Sequence, residues 1–420
     1  LRRAKRLNVD DFATIESVMN FNEAQMTYDA IVLGVGGVGS AALYHLALRG
    51  AHVLGMDQFS PPHYFGSTHG HTRVIRQAYF EHPDYVPLAI DSYRQWRELE
   101  RQAHRQLLHK VGLVQIGPAD GIVVPGVLLA AEQHQLPVER LSAAEVRNRW
   151  TGLCVTDDLQ AVYEPAGGYL LVEDCVQAYM DAARHAGARL ITNTQVLEWS
   201  AEHATVRLHT SDGVMAAKRL VIAAGAWAGP LLKDLNIPLT VLRKSLFWFA
   251  TDAAEYDVSA GFPLFLFELP VAPPDSLLPQ SAGHLKQSEH AGGVFYGFPK
   301  LDSRGVKFAE HSGGTVVNDP LLVNRLMDVE EKRRLLELLS HFLPGVSTRV
   351  TDHSVCLYTM SPDGHFILGP HPRHANVVFA AGLSGHGFKF TPALGQALAD
   401  LALDGGASLP IQFLSPARFI

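Results

Sequence analysis

Gly34-Val35-Gly36-Gly37-Val38-Gly39 is the stretch on which the fold turns. It follows an apolar run at 30–33 and opens an alanine- and leucine-rich segment, 41–48, whose apolar residues recur at helical spacing. Beyond Gly50 a second apolar run, 52–56, ends at Asp57. The order predicts a βαβ unit with GxGxxG at the junction of strand and helix. There the first glycines let the backbone turn sharply and approach a pyrophosphate, and the last lets helix and strand pack closely. The helix N-terminus faces negative phosphate, and an acid about twenty residues on accepts a hydrogen bond from a ribose hydroxyl. Gly34, Gly36, Gly39 and Asp57 are therefore the expected dinucleotide-binding residues.

The fingerprint by itself does not choose between FAD and NAD, which present the same adenine dinucleotide half. Residues 219–225 bear on that choice. After a strand-and-turn pair at 204–218, with Ser211-Asp212-Gly213 as its turn, the strand Leu220-Val221-Ile222-Ala223-Ala224 runs into Gly225-Ala226-Trp227-Ala228. A second strand ending in small residues suits an FAD domain of the glutathione-reductase type, and it adds Gly225 and Trp227 to the expected cofactor wall. Residues 111–163 and 242–355 alternate short apolar runs with Pro, Gly and charged turns, which predicts an antiparallel sheet with peripheral helices. The expected fold is an α/β FAD-binding domain of glutathione-reductase Rossmann type, interleaved with an α+β antiparallel-sheet substrate domain. Its expected parts are an N-terminal extension at 1–26, a discontinuous FAD-binding domain at 27–108, 168–242 and 362–411, and a substrate domain at 109–167 and 243–361. Within the latter, 272–293 is rich in Pro, Ser, Gln, Gly and His and reads as a long loop.

Composition narrows the partners. A chain of 420 residues, 47% hydrophobic and 18% charged, builds two or three modules with sizeable cores rather than a disordered chain. Its 35 basic and 42 acidic residues are interspersed, so no basic stripe offers itself to nucleic acid. No apolar run approaches the roughly 20 residues that cross a bilayer, and no membrane is expected as a partner. Cys154, Cys175 and Cys356 form no CxxC pair and no disulfide framework, which fits a reducing compartment, the cytoplasm. The basic start LRRAKR is followed closely by Asp10, Asp11 and Glu16, against an organelle address.

Chemistry-bearing residues concentrate after the βαβ unit, in Pro61-Pro62-His63 and Gly66-Ser67-Thr68-His69-Gly70-His71-Thr72-Arg73-Val74-Ile75-Arg76. Small residues permit close backbone approach, and the segment brings arginines and histidines to the C-terminal edge of the sheet, where such folds bind ligands. Far downstream, Gly382-Leu383-Ser384-Gly385-His386-Gly387-Phe388-Lys389-Phe390 makes a second glycine-rich turn before a helical 394–403. Ser354-Val355-Cys356-Leu357-Tyr358-Thr359 sets one cysteine in a strand-like run. Alone, such a cysteine reads as a small buried hydrophobe.

Together these residues resemble the monomeric sarcosine oxidase and N-methyltryptophan oxidase family of FAD-dependent amine oxidases. The resemblance runs from about Tyr28 almost to the C-terminus and rests on PPH…GSxHGxTRxIRxAY, YGFP…K…H, VCxYT and GxSGHGFKF in that order. It implies FAD attached covalently through Cys356, with Ser67, Thr72, Gly385, His386 and Gly387 also among the cofactor-binding residues. His69 and Arg73 match basic residues beside the flavin, where a cation stabilises negative charge developing on the ring. Arg76 and Lys389 match the pair that holds the substrate carboxylate, and Lys307 matches a lysine that activates oxygen. Tyr296, His311 and Tyr358 match residues that line the pocket and orient the amine, while Leu266 stands where sarcosine oxidase has methionine. The reaction implied is oxidation of a secondary amine, sarcosine or another N-methyl or cyclic imino amino acid, to an imine that hydrolyses, with O2 reduced to H2O2. A monomer is implied as well.

Three departures from the family pattern matter: His71 in place of the acid of HGDTR and Gly369 where an acid often follows the FII strand bear on charge near the flavin, and the length of 272–293, between Leu266 and Tyr296, bears on the pocket wall and so on the substrate. Two other readings remain open on the residues: a same-fold dehydrogenase passing electrons to a protein or quinone, and an NAD-dependent dehydrogenase. No metal is expected. The 21 histidines include no HExxH, and His365, His371 and His374 fall in a turn region containing Pro and Gly.

Overall fold

The computed structural model describes residues 28–270 and 291–420. The N-terminal extension and residues 272–290 of the expected loop lie outside the described residues; Ala291 onward is already strand. Among the described residues no helix is long and apolar enough to cross a membrane.

The βαβ unit forms as the glycine spacing requires. Strand Tyr28–Leu33, helix Gly37–Leu48 and strand Val53–Met56 follow one another, the strands pairing in parallel from Ala30↔Val53 to Leu33↔Met56. On its other side Tyr28–Leu33 pairs in parallel with Gly213–Ile222. That long strand begins as one arm of a hairpin with Thr205–Thr210 and ends beside His374–Ala381, again in parallel. These strands, with Arg189–Ile191, Val196–Glu202 and Ile367–His371, make one eight-stranded sheet. Helix Gly37–Leu48 is buried on nearly every side, between this sheet and helices Val172–His185 and Thr391–Asp404. It is built from Ala, Gly and Leu because its neighbours come close: a Cβ on Gly395 would lie 2.5 Å from that of Ala41.

A second sheet of nine strands is mixed rather than antiparallel, which corrects the sequence expectation. Leu264–Pro270 pairs in parallel with Leu113–Pro118, from Leu264↔Leu113 to Phe267↔Ile116. The two strands come from distant stretches whose own neighbours are antiparallel, and the long connection between them passes through the first sheet, so a parallel join costs no tight turn. Period-two alternation then separates the two faces of this sheet. Phe247, Phe249, Phe265, Phe267, Phe295 and Phe308 point one way, against Leu335, Leu339 and Phe342 of helix Val329–Phe342. Each fully buried phenylalanine contributes about 1.5–3 kcal/mol, enough to fix the register and so what stands on the opposite face. On that opposite face Gln115, Leu266, Tyr296 and Ala309 stand in line, and Lys244 and Leu242 lie across from Cys356 and Tyr358. A small antiparallel sheet of Thr72–Ile75, Gly168–Leu171 and Leu108–Lys110 brings the histidine- and arginine-bearing segment to this face.

Candidate functional site

The glycine turn is sterically over-determined at two positions. Gly34 has φ +87°, and a Cβ there would lie 2.6 Å from the carbonyl oxygen of Ala223; a Cβ on Gly39 would lie 1.8 Å from that of Gly34. Gly36 differs, since its Cβ would meet only Thr68 Oγ1, at 3.6 Å, leaving the backbone open to a neighbour. The Asp57 carboxylate accepts from the amides of Val35 at 2.8 Å and Phe59 at 2.9 Å, one per oxygen, so each oxygen keeps acceptor capacity. Burial raises its pKa, with those two amides opposing.

From this turn a cavity of about 420 Å³ runs between the two sheets to Leu266, Tyr296, His311, Tyr358 and Lys389. Gly34, Gly36, Asp57, Ser67, Gly225, Trp227, Gly385, His386 and Gly387 line it as well. Two buried polar atoms on its wall, Trp227 Nε1 and Thr391 Oγ1, have no hydrogen-bond partner among the described residues. Open glycine backbone, a carboxylate with spare acceptors and unpartnered donors along one elongated cavity fit a dinucleotide. Gly39, Thr72 and Cys356 are not on the wall: Gly39 holds the turn against the helix, Thr72 Oγ1 accepts from Lys307 Nζ at 3.0 Å, and Cys356 is buried beside the lining residue Leu357.

Behind the middle of the cavity stands a group of cations. Arg73 donates to Ser67 O at 2.9 Å and to Cys356 Sγ at 3.0 Å, joining residues 283 positions apart. Burial opposes ionisation of Cys356, but His69, Arg73 and Lys307 outweigh it and draw the thiol down to about 6. These neighbours favour its thiolate form, which sets it apart from an inert core cysteine. Lys307 is 2% exposed; its Nζ donates to Gly70 O at 2.7 Å and Thr72 O at 3.0 Å and lies 5.0 Å from the Trp248 ring centre. Burial, then Arg73, depress its pKa well below the ordinary lysine value. His69 stands apart from the main cavity and lines a second one of about 330 Å³, separated from the first by Pro62 and His63, which border both. His69 Nδ1 is 3.3 Å from Ser354 Oγ, and its buried Nε2 has no partner among the described residues.

At the far end Arg76 is 3% exposed and grips both oxygens of Glu81 at 2.7 Å, with its guanidinium 4.0 Å from the Tyr79 ring centre. Lys389 donates to Tyr79 Oη at 3.2 Å and to His386 O at 2.8 Å, and burial followed by Arg76 lowers it to about 7. Tyr79 and His386 continue the chain. His386 is neutral, since burial puts its pKa well below the usual range; Nε2 donates to Gly364 O at 3.1 Å, leaving Nδ1 to accept from Tyr79 Oη at 2.7 Å. His311 Nδ1 lies 3.3 Å from Tyr358 Oη, and burial with Lys244 lowers its pKa to about 3.

The sequence reading missed three charged residues here. Glu81 pairs Arg76. Glu164, pushed up to about 7 by burial, accepts from Gln77 N at 2.6 Å and Ala78 N at 3.3 Å, and so fixes the loop after Arg76. Lys244 is buried beside Tyr358, although Arg243-Lys244 in a strand reads as surface. Two of the departures lie off the main cavity. His71 is exposed, takes φ +68° and borders the second cavity; Gly369 packs against Pro416, where a Cβ would meet Cδ at 2.6 Å.

His371 and His374 lie at strand ends rather than in a free turn, and with Asp234 they gather possible ligand atoms within 4.8 Å of one another. Their chemistry is that of an ion-pair cluster. Arg373 binds Asp234, His371 Nδ1 accepts from Arg373 N at 3.3 Å, and His371 Nε2 lies 3.2 Å from Asp234 Oδ2.

Residues 29–401 match the family model of FAD dependent oxidoreductases. The chain is 37% identical to monomeric sarcosine oxidase of Bacillus sp. (strain B-0618) over 396 residues, covering 93% of this chain and 96% of that protein. It is 35% identical to N-methyl-L-tryptophan oxidase of Yersinia pestis (strain Pestoides F) over 395 residues, covering 94% and 100%. Among solved structures, NikD, an unusual amino acid oxidase essential for nikkomycin biosynthesis, aligns with a TM-score of 0.79 at 24% identity, covering 93% and 98%. Glycine oxidase from Geobacillus kaustophilus aligns at 0.74 and 20%, covering 94% and 99%. The two structural likenesses concern the fold. The family match makes FAD, rather than NAD, the cofactor of this family of chains.

Proposed function

The chain belongs to the FAD-dependent oxidoreductase family that includes monomeric sarcosine oxidase and N-methyl-L-tryptophan oxidase, and from that premise we propose that it oxidises secondary amino acids, N-methylated or cyclic, with O2 as electron acceptor. The observation that carries this reading is the end of the cavity, where Arg76 and Lys389 converge beside Leu266, Tyr296, His311 and Tyr358. A planar guanidinium and an ammonium suit one carboxylate, and the neutral His311 with two phenols suits an amine that must be unprotonated to lose hydride. Arg76 is shared with Glu81, so an incoming carboxylate competes with an internal one for the same fork.

Bound FAD supplies the two-electron acceptor for oxidation of the substrate C–N bond. Gly34, Gly36, Asp57, Ser67, Gly225, Trp227 and the 385–387 turn would hold it, in a domain of glutathione-reductase type. Cys356, a thiol beside Arg73, is the proposed covalent tether. Lys307, anchored in a dry setting on Gly70 O, Thr72 O and Thr72 Oγ1, is the proposed oxygen-activating group, whose positive charge when protonated favours electron transfer to O2 and H2O2 release. The division into a discontinuous FAD-binding domain and a substrate domain, a monomeric state and a cytoplasmic location are parts of the same proposal.

Acid precipitation of the purified protein tests the cofactor half. Yellow colour that stays with the polypeptide, at a mass one FAD above the chain, supports the tether at Cys356. Flavin released to the supernatant removes the tether, and a colourless protein removes the whole reading.

A further inference from the structure

Lys244 is a charged residue on the cavity-facing side of the second sheet that the proposed chemistry leaves unused. It stands directly across from Cys356 in the pairing of Thr240–Phe249 with Val350–Met360 and is 4% exposed. The adjacent Arg243 has a carboxylate, both oxygens of Glu331 at 2.6 Å. Lys244 has no such partner among the described residues. Its Nζ donates to the carbonyls of Ser312 at 2.6 Å and Gly313 at 3.1 Å, the turn immediately after His311, and lies 5.4 Å from the centre of the Tyr358 ring.

Burying an ammonium without a counterion is unfavourable, so a core position that retains one uses its charge. We infer that Lys244 is a positioning residue of the amine-binding wall: its ammonium ties down the turn behind His311 and, beside Tyr358, holds the His311–Tyr358 pair in one arrangement. The inference rests on the reading of that wall given under the proposed function.

The groups around Lys244 come from four directions. Arg243 is on its own strand, and Cys356 and Tyr358 are on the strand opposite. Glu310 ends the neighbouring strand and His311 follows it, and Glu331 and Arg334 come from helix Val329–Phe342. Glu310 is taken by Arg334 at 3.0 Å and Glu331 by Arg243, so neither fully balances the ammonium. Burial lowers Lys244 to about 8 against the pull of Glu310 and Glu331. Its charge is therefore present at neutral pH and lost as pH rises through about 8.

The test uses the full-length yellow holoenzyme with Lys244→Gln and Lys244→Met. Glutamine keeps N–H donors for the two carbonyls but carries no charge. Three quantities are read: the rate of anaerobic flavin reduction by a saturating secondary amino acid against pH, the Kd of acetate as an unreactive carboxylate probe, and the titration of the His311 ring by NMR, assigned with His311→Asn. Both variants are expected to slow reduction roughly tenfold to a hundredfold at pH 7 through misplacement of the wall. The fall in the native rate above pH 8 disappears in both, and acetate Kd changes by less than about twofold because the carboxylate end is untouched. His311 begins to titrate at higher pH in both variants than in the native protein. A glutamine variant with the native rate and native pH profile overturns the inference. Should no secondary amino acid reduce the native flavin, the function reading fails by itself, and the His311 titration decides: unchanged, it overturns the positioning role; raised, it upholds it.

Discussion

Single side chains in this site are defined by what burial does to their charge. Lys307 sits in a dry pocket on three oxygen acceptors, and under the proposed function it is the group that meets electrons leaving for O2. Lys307→Met should leave the protein yellow and slow its reoxidation by air at least about a hundredfold, the usual scale for losing one preorganised electrostatic group; stopped-flow mixing of the reduced enzyme with O2 reads it directly. Lys389, lowered to about 7, is a cation below that pH and loses its charge above it. Affinity for a carboxylate should accordingly fall as pH rises through 7 to 8, seen as an increasing acetate Kd in flavin difference spectra, and Lys389→Met should flatten that dependence. Neither role is written in a lysine's local sequence. Lys307 was recognisable only through the family motif around it, and Lys244 not at all, because a charged residue in a strand ordinarily signals an exposed face.

The elements that carry these side chains are held by turns with little tolerance. Gly385 has φ +80°, and a Cβ there would enter the Tyr358 ring at 2.2 Å. Gly385→Ala should displace Tyr358 and lower kcat/KM for amine about a hundredfold through misorientation, with the flavin still bound; turnover like the native enzyme's would show that the Tyr358 wall is not where the amine lies. Asp57 joins the glycine turn to the loop after Val53–Met56 through two backbone amides. Asp57→Ala strands both donors, at a cost of about 1–3 kcal/mol each if they stay dry, and removes the acid proposed to meet the ribose, so lower thermal stability and weaker FAD retention are expected together. These turns were legible in the sequence for a local reason: glycine spacing and apolar periodicity act within about thirty residues. The parallel join of Leu113–Pro118 to Leu264–Pro270 was not, since nothing in either strand records which distant edge it meets.

Across the whole molecule, function arises where two sheets of different character face each other. One supplies a glycine-rich edge with spare hydrogen-bonding capacity, the other a face of cations, phenols and one acidic thiol, and the packed phenylalanines behind that face set its register. The contacts that matter span the chain: Arg73 to Cys356, Tyr79 to His386 and Lys307 to Gly70 each join residues more than 200 positions apart. Sequence patterns could name both ends of such pairs but could not bring them together. The pairing of Arg76 with Glu81 was likewise invisible beforehand, because an acid five residues from an arginine on an irregular segment has no preferred geometry. The most direct measurement of the account is the visible spectrum of the purified protein under anaerobic titration with sarcosine, N-methyl-L-tryptophan and pipecolate. At least one should bleach the flavin absorbance, and admitting air should restore it with one H2O2 formed for each amine oxidised. A flavin that none of these bleaches, at any pH from 6 to 10, would contradict the account.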